Sequence, residues 1–313
     1  MATQNSLKGL IQDFLDYLEG EKNCSPLTTR NYHSYLTDFA NSMKVSQPAE
    51  ITDSKLRDYR VVLNRRKNSK GDYLKHSTKN YYLIALRSFL KYLAKRDIKS
   101  LMPEKIELAK VAGREIDFLE PEELARLLDA PDAGTMRGLR DKAILELLFS
   151  SGLRVSELCS LDTKKINLKK DEFSIRGKGD KLRVVFLSNT AKYWLKKYND
   201  ARQDGLSPLF ISYPKGKASL DVSDPEKRRL TPRSIQRLVH KYALIAGITT
   251  KVTPHVLRHS YATDLLMGGA DIRSVQAMLG HASITTTQMY THITDKRLRE
   301  VYKKFHGKTR RGE

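Results

Sequence analysis

Apolar residues recur at helical spacing through most of this chain. Leu7, Leu10, Ile11, Phe14, Leu15 and Leu18 fall on one face at three- and four-residue intervals, which predicts an amphipathic helix closing near Gly20. Ser25-Pro26 is a helix start, and a stripe of Tyr32, Tyr35, Leu36 and Phe39 follows it. A third helix opens at Thr52 or Asp53 and runs to about Arg66, and a fourth, beyond the polar stretch KNSKGDY, carries Tyr82, Leu86, Phe89, Leu90 and Leu93. Strand-like alternation is absent from Ser6 to Arg96, so residues 1–102 predict a four-helix, all-α domain. Pro103, Gly113 and the charged run PEKIELAK break the period, which marks 103–115 as a linker and 116–313 as a second domain.

The second domain begins with helices as well. Pro121 starts a short one ending near Asp129, and Met136 to Ser150 carries Leu139, Ala143, Ile144, Leu147 and Leu148 up to a stop at Gly152. Arg154 follows at once, with Glu157 three residues on, near enough to orient its guanidinium. The period then changes: Phe173, Ile175 and then Leu182, Val184 and Phe186 alternate with polar residues around the turn RGKGD, which predicts a β-hairpin with Lys178 at its tip. A helix from about Thr190 to Arg202 places the only tryptophan, Trp194, in the core, and 212–230 is a polar, exposed loop or hairpin. Thr231-Pro232 opens a helix bearing Ile235, Leu238, Val239 and Tyr242.

Thr253 caps a helix from Pro254 to Met267, stopped at Gly268-Gly269. Leu257, Tyr261 and Leu265 face its core side, while His255 and Arg258 share another face near the N-terminus, where unpaired N–H groups favour an anion. Asp271 caps the next helix, with Ile272, Val275 and Met278 inward, a stop at Gly280 and His281 just beyond. Ser283 can cap a short element running to Tyr290, intrinsically weak because three threonines interrupt it. Asp295 opens a last helix with Leu298, Val301, Tyr302 and Phe305 on one stripe. The fold class is mainly α in two domains, the second a mixed α/β domain with a small antiparallel hairpin.

Charge narrows the partners. Lys+Arg number 57 against 36 Asp+Glu, a net +21, which puts nucleic acid first, with anionic membrane and RNA as competitors on charge alone. No apolar run is long enough to span a bilayer, and MATQNSLKG has no signal pattern. Cys24 and Cys159 are too far apart in sequence to suggest a metal site or a disulfide framework, so a reducing cytoplasm is expected. The glycines around Lys178 lack the frame of a phosphate-binding loop, and no carboxylate cluster suits a pair of magnesium ions, so no cofactor is expected. In the first domain Arg30, Arg65, Arg66, Lys67, Lys70, Lys75, Lys79 and Arg87 gather near helix ends and the intervening loop.

Singly, a histidine in a first helical turn or an arginine after a glycine stop is ordinary. Together, GLRVSEL, HVLRHSYATDLL and LGHASITTTQMYTH closely resemble the signature boxes of the tyrosine recombinases, in particular the Xer-like site-specific recombinases. By position the resemblance implies Arg154 as a first catalytic arginine, Lys178 as a hairpin general acid, His255 and Arg258 as a His-x-x-Arg pair, His281 as a second histidine and Tyr290 as nucleophile. It implies an N-terminal core-binding domain of SAM-like fold facing a catalytic domain across double-stranded DNA. It also implies a homo-tetramer, or a hetero-tetramer with a second recombinase, that exchanges strands through a Holliday junction, with a DNA translocase as possible activator. The residues alone leave open a type IB-like topoisomerase and a non-catalytic architectural DNA-binding protein.

Overall fold

The computed structural model describes residues 6–111, 117–177, 182–213, 224–280, 283 and 287. The chain divides into two units, Met1–Gly113 and Arg114–Glu313. In the first, each amphipathic stripe becomes a helix: α1 (Leu7–Gly20), α2 (Pro26–Met43), α3 (Asp53–Arg65) and α4 (His76–Ala94). Hydroxyls start three of them, with Ser6, Ser25 and Thr52 accepting from the backbone N–H of Gly9, Thr28 and Lys55. The buried residues of α1 are the six apolar positions of its sequence stripe. They meet Leu36 and Phe39 of α2, Leu56, Tyr59 and Leu63 of α3, and Leu86, Phe89, Leu90 and Leu93 of α4 in one core. Each large apolar side chain fully buried this way stabilises by about 1.5–3 kcal/mol.

The start of the stretch 103–115 packs on that core. Pro103–Lys105 forms a 3-10 turn, Ile106 is buried among the helices, and the Asn80 side chain brackets the backbone of Ala109 with hydrogen bonds of 2.8 and 3.1 Å. Ile106 and Leu108, apolar residues in a charged run, both pack against this core.

The second unit has a central helix, α6 (Met136–Ser151), preceded by α5 (Pro121–Asp129) and followed by the short α7 (Val155–Cys159). α6 is buried on every side: Gly138 through Leu148 are all inaccessible, including Arg140, Asp141, Lys142 and Glu146. Around it lie α8 (Asn189–Ala201), α9 (Pro225–Arg228), α10 (Pro232–Ile245), α11 (Pro254–Gly268) and α12 (Ile272–Leu279). Trp194 on α8 is half-buried at the edge of the core, with the Lys142 ammonium 5.2 Å from its ring. On α12 the fully buried positions are Val275 and Leu279, while Ile272 and Met278 are half-buried.

The hairpin is antiparallel, β1 (Glu172–Arg176) against β2 (Leu182–Phe186), in a register that pairs Glu172 with Phe186 and Arg176 with Leu182. Phe173 and Ile175 point into the core as expected. β2 is in the opposite phase from its apolar alternation: Val185 is buried and the Arg183 side chain is only 8% exposed, whereas Leu182, Val184 and Phe186 are 65%, 43% and 44% exposed. The phase follows from an ion pair between Arg183 and Glu157 and from the buried Val185 and Leu187. The hairpin tip, most of the 212–230 loop, the element from Ser283 to Tyr290 and the last helix lie outside the described residues, apart from Ser283 and Thr287.

Candidate active site

Three of the six sequence candidates, Arg154, His255 and Arg258, are described, and they gather where helix ends converge. Gly152 closes α6 in the left-handed conformation, φ 57°, so the chain turns directly into α7. No other residue fits there: a Cβ would lie 2.5 Å from the ring of Tyr261. Arg154 is the N-cap of α7, and its backbone N–H donates to Glu157 Oε2 at 2.7 Å while its Nη1 donates to Glu157 Oε1 at 2.9 Å. The sequence expectation that Glu157 orients this guanidinium holds.

Arg258 is 5% exposed. Its Nη1 donates to the carbonyl of Gly152 at the end of α6, and its Nη2 donates to the carbonyl of Leu279 at the end of α12, at 2.6 Å. Arg154 Nη2 in turn donates to the carbonyl of Gly280 at 3.2 Å. Terminal carbonyls have no partner within their own helix and sit at the negative end of its dipole, so they suit guanidinium groups. Two helix C-termini thus fix two cations beside each other.

His255 lies in the first turn of α11, whose cap is Thr253. Loss of water around the ring, then the charges of Arg258 and Arg154, hold its imidazole below the ordinary value of 6.5. The residue is nevertheless exposed at the surface, so the two neighbouring charges are the better-founded cause. His259, one turn on, is driven further, to about 4, by burial and by the charges of His255 and Arg258 against the opposing effect of Asp117. Glu157 is also held below its ordinary value: burial pushes it up, but hydrogen bonds from Arg183 and from the Arg154 backbone, with the charge of Arg183, outweigh this and keep it ionised.

Lys178, His281 and Tyr290 lie outside the described residues. Sequence reasoning missed Arg183, which donates to both oxygens of Glu157 at 2.7 and 2.9 Å. The signal was the apolar pair Val185 and Leu187, which shares a phase with Arg183 and competes with the phase of Leu182, Val184 and Phe186. It also missed Ser260, whose hydroxyl accepts from the Leu119 N–H at 2.9 Å and pins the entry to the second unit against α11. Of the basic residues in the first unit, Arg30, Arg65, Lys67, Lys70 and Lys75 are exposed, whereas Arg66 is tied to Asp38 at 2.8 Å. Among the described residues no group of three or more His, Cys, Asp or Glu could hold a metal ion, and no helix is long and apolar enough to cross a membrane.

A buried Arg258, a partly exposed Arg154 and a histidine of lowered basicity form one cluster. The phage integrase family matches residues 117–297, and the phage integrase N-terminal SAM-like domain matches residues 11–97. The chain belongs to the phage integrase family. It is 38% identical over 301 residues, 95% of each chain, to the tyrosine recombinase XerC of Thermodesulfovibrio yellowstonii. It is 36% identical over 305 residues, 96% of this chain and 99% of the other, to the tyrosine recombinase XerD of Oceanobacillus iheyensis. The crystal structure of XerA recombinase aligns over 96% of this chain and 99% of its own with a TM-score of 0.51 at 31% identity. XerH recombinase in its post-cleavage complex with palindromic difH substrate aligns over 94% of this chain and 83% of its own, with a TM-score of 0.68 at 23% identity, a likeness of fold. This integrase-family chain is therefore a tyrosine site-specific recombinase, with the SAM-like helical domain followed by a catalytic domain.

Proposed function

We propose that this recombinase binds double-stranded DNA at a specific site and cuts and rejoins it by transesterification, without a metal, with Tyr290 as nucleophile. The observation that carries the proposal is the anchoring of Arg154 and Arg258 by the carbonyls of Gly280, Leu279 and Gly152 beside His255. Guanidinium groups held in advance by fixed acceptors stabilise the charge that builds on a phosphate's non-bridging oxygens, commonly the largest catalytic contribution. A phenol has a pKa near 10, so its proton must leave as it attacks, and a neutral His255 can accept it.

In the step, the Tyr290 oxygen forms a bond to phosphorus, the bond from phosphorus to the 5′ oxygen breaks, and Lys178 gives that oxygen a proton. His281 adds a hydrogen bond to the phosphate. The product is a 3′-phosphotyrosyl ester, which a second 5′-hydroxyl reverses with no outside energy source. We extend the proposal to a tetramer that passes through a Holliday junction, supported by full-length likeness to proteins named XerC and XerD.

Incubation with nicked duplexes that lose their 5′-hydroxyl fragment tests the chemistry directly. A covalent DNA–peptide adduct at Tyr290, absent from Tyr290→Phe, is the expected result, and an adduct elsewhere or none on a tightly bound site sinks it. Synthetic junctions then separate recombinase from topoisomerase: junction resolution is expected, and supercoil relaxation without it overturns the strand-exchange part.

A further inference from the structure

Strand β2 turns one arginine inward and leaves three large apolar residues outside. A slip of one residue would reverse the two faces, so the inner contacts of Arg183 and Val185 must outweigh the exposure of Leu182, Val184 and Phe186. The contact of Arg183 is with Glu157, and it is saturating. Oε1 accepts from Arg154 Nη1 at 2.9 Å and Arg183 Nη1 at 2.7 Å; Oε2 accepts from the Arg154 backbone N–H at 2.7 Å and Arg183 Nη2 at 2.9 Å. Arg183 therefore takes the two-pronged fork, the strongest geometry a carboxylate offers a guanidinium, and leaves Arg154 a single side-chain bond.

The consequence is electrostatic. Glu157 paired with Arg154 alone would be a neutral couple, and its carboxylate would compete with a phosphate for the same guanidinium. With Arg183 behind it, the trio retains one positive charge. The same side chain touches the other support of Arg154: Cδ of Arg183 lies 2.7 Å from where a Cβ on Gly280 would be, and the carbonyl of Gly280 accepts from Arg154. Arg183 also follows directly on Leu182, whose pairing with Arg176 closes the loop that carries Lys178.

We propose that Arg183 is a positioning residue of the cleavage site: it neutralises Glu157 from behind, so that Glu157 orients Arg154 without cancelling the charge Arg154 presents to the scissile phosphate. This rests on the transesterase reading given above. Removing one member of a buried pair also destabilises the fold, so the rate is read on folded protein and set against melting temperature: a purely structural role predicts that the rate follows stability.

The test compares wild type, Arg183→Met, Arg183→Lys and the double variant Glu157→Gln/Arg183→Met on one nicked duplex, reading adduct rate, DNA affinity and melting temperature. Wild-type adduct formation establishes the parent reading in the same tube, and its absence sinks both. Arg183→Met leaves Glu157 buried with a single side-chain bond from Arg154 and is expected to melt below the wild type. Assayed below its melting temperature, where it still binds DNA, it should cleave about 10- to 100-fold more slowly, the scale on which groups supporting a site act. Glu157→Gln in that background removes the uncompensated charge and should restore part of the rate, and Arg183→Lys, which keeps a cation, should retain most of it. Wild-type cleavage by Arg183→Met overturns the proposal, as does a slow double variant or a folded Arg183→Lys as slow as Arg183→Met.

Discussion

Helices α1 and α6 are of similar length, 14 and 16 residues, but they are built on opposite plans. α1 buries six apolar residues and shows its polar ones to solvent. α6 buries Arg140, Asp141, Lys142 and Glu146 together with its leucines, and each charge is paired: Arg140 with Asp141 at 2.6 Å, Lys142 with Asp129 and Glu146 at 2.8 and 3.1 Å. The first unit is held by area removed from water. The second adds buried charges that only one arrangement of neighbours satisfies, and its central helix ends at Gly152, the residue whose carbonyl holds Arg258. Buried pairs do little for net stability but penalise every alternative packing, which is the property a site of fixed cations needs.

The sharpest way to break this contrast is to remove one member of a pair. Asp141→Ala leaves the Arg140 guanidinium, whose Nε and Nη2 both donate to that carboxylate, buried without a counter-charge, and takes the acceptor from the Tyr242 hydroxyl. The expected loss is about 3–5 kcal/mol in chemical denaturation. Replacing both partners, Arg140→Met with Asp141→Leu, should cost far less. Equal losses from the single and double variants would show that α6 depends on its charges as α1 depends on its leucines.

The counterpart in the first unit is Leu36→Ala, at a position 1% exposed in the four-helix core. A loss of about 2–5 kcal/mol is expected from the missing methyl groups and the cavity. Hydrogen exchange should quicken within Met1–Gly113 and stay unchanged in α6 and α11, since each unit has its own core. Exchange that quickens equally in both would dissolve the distinction.

Acid distinguishes the units by a smaller effect. With a folded pKa of about 4 against an ordinary 6.5, His259 stays neutral in the fold while the unfolded chain takes up its proton. Proton uptake by the unfolded state lowers stability as pH falls, here from about 6.5 to about 4, and no contribution is lost above 6.5. Titrating stability over that window should give a slope that His259→Gln flattens. An unchanged slope would place the acid sensitivity elsewhere.

These plans also explain what was legible in the sequence. The stripe of α1, the caps at Ser25, Thr52 and Thr253, and the stop at Gly152 could be read directly, because they arise from contacts three or four residues apart. The phase of β2 could not, because it depends on Glu157, 26 positions away from Arg183. The packing of Ile106 was hidden for the same reason: its partners are distant helices. The role of Glu157 was visible toward Arg154, a neighbour in sequence, and invisible toward Arg183. Lys178, His281 and Tyr290 rest on motif and order alone.

The finest cut compares two helix caps of the same chemistry. Ser25 accepts from Thr28 N–H at 3.3 Å at the start of α2, and Thr253 accepts from Val256 N–H at 3.4 Å at the start of α11. Alanine at either place should cost about 1 kcal/mol, because it leaves one N–H of the first turn without its partner. The functional consequences should differ. The first turn of α11 carries His255, with Arg258 following directly on it, and Arg258 must still reach Gly152 and Leu279 at the far ends of two other helices. Fraying at Thr253 moves the histidine relative to guanidinium groups held elsewhere, so Thr253→Ala should slow adduct formation on a nicked duplex while Ser25→Ala, matched in stability, leaves its rate unchanged. Equal rates for the two variants would mean that Arg258, clamped at both Nη groups, holds the start of α11 in place without its cap.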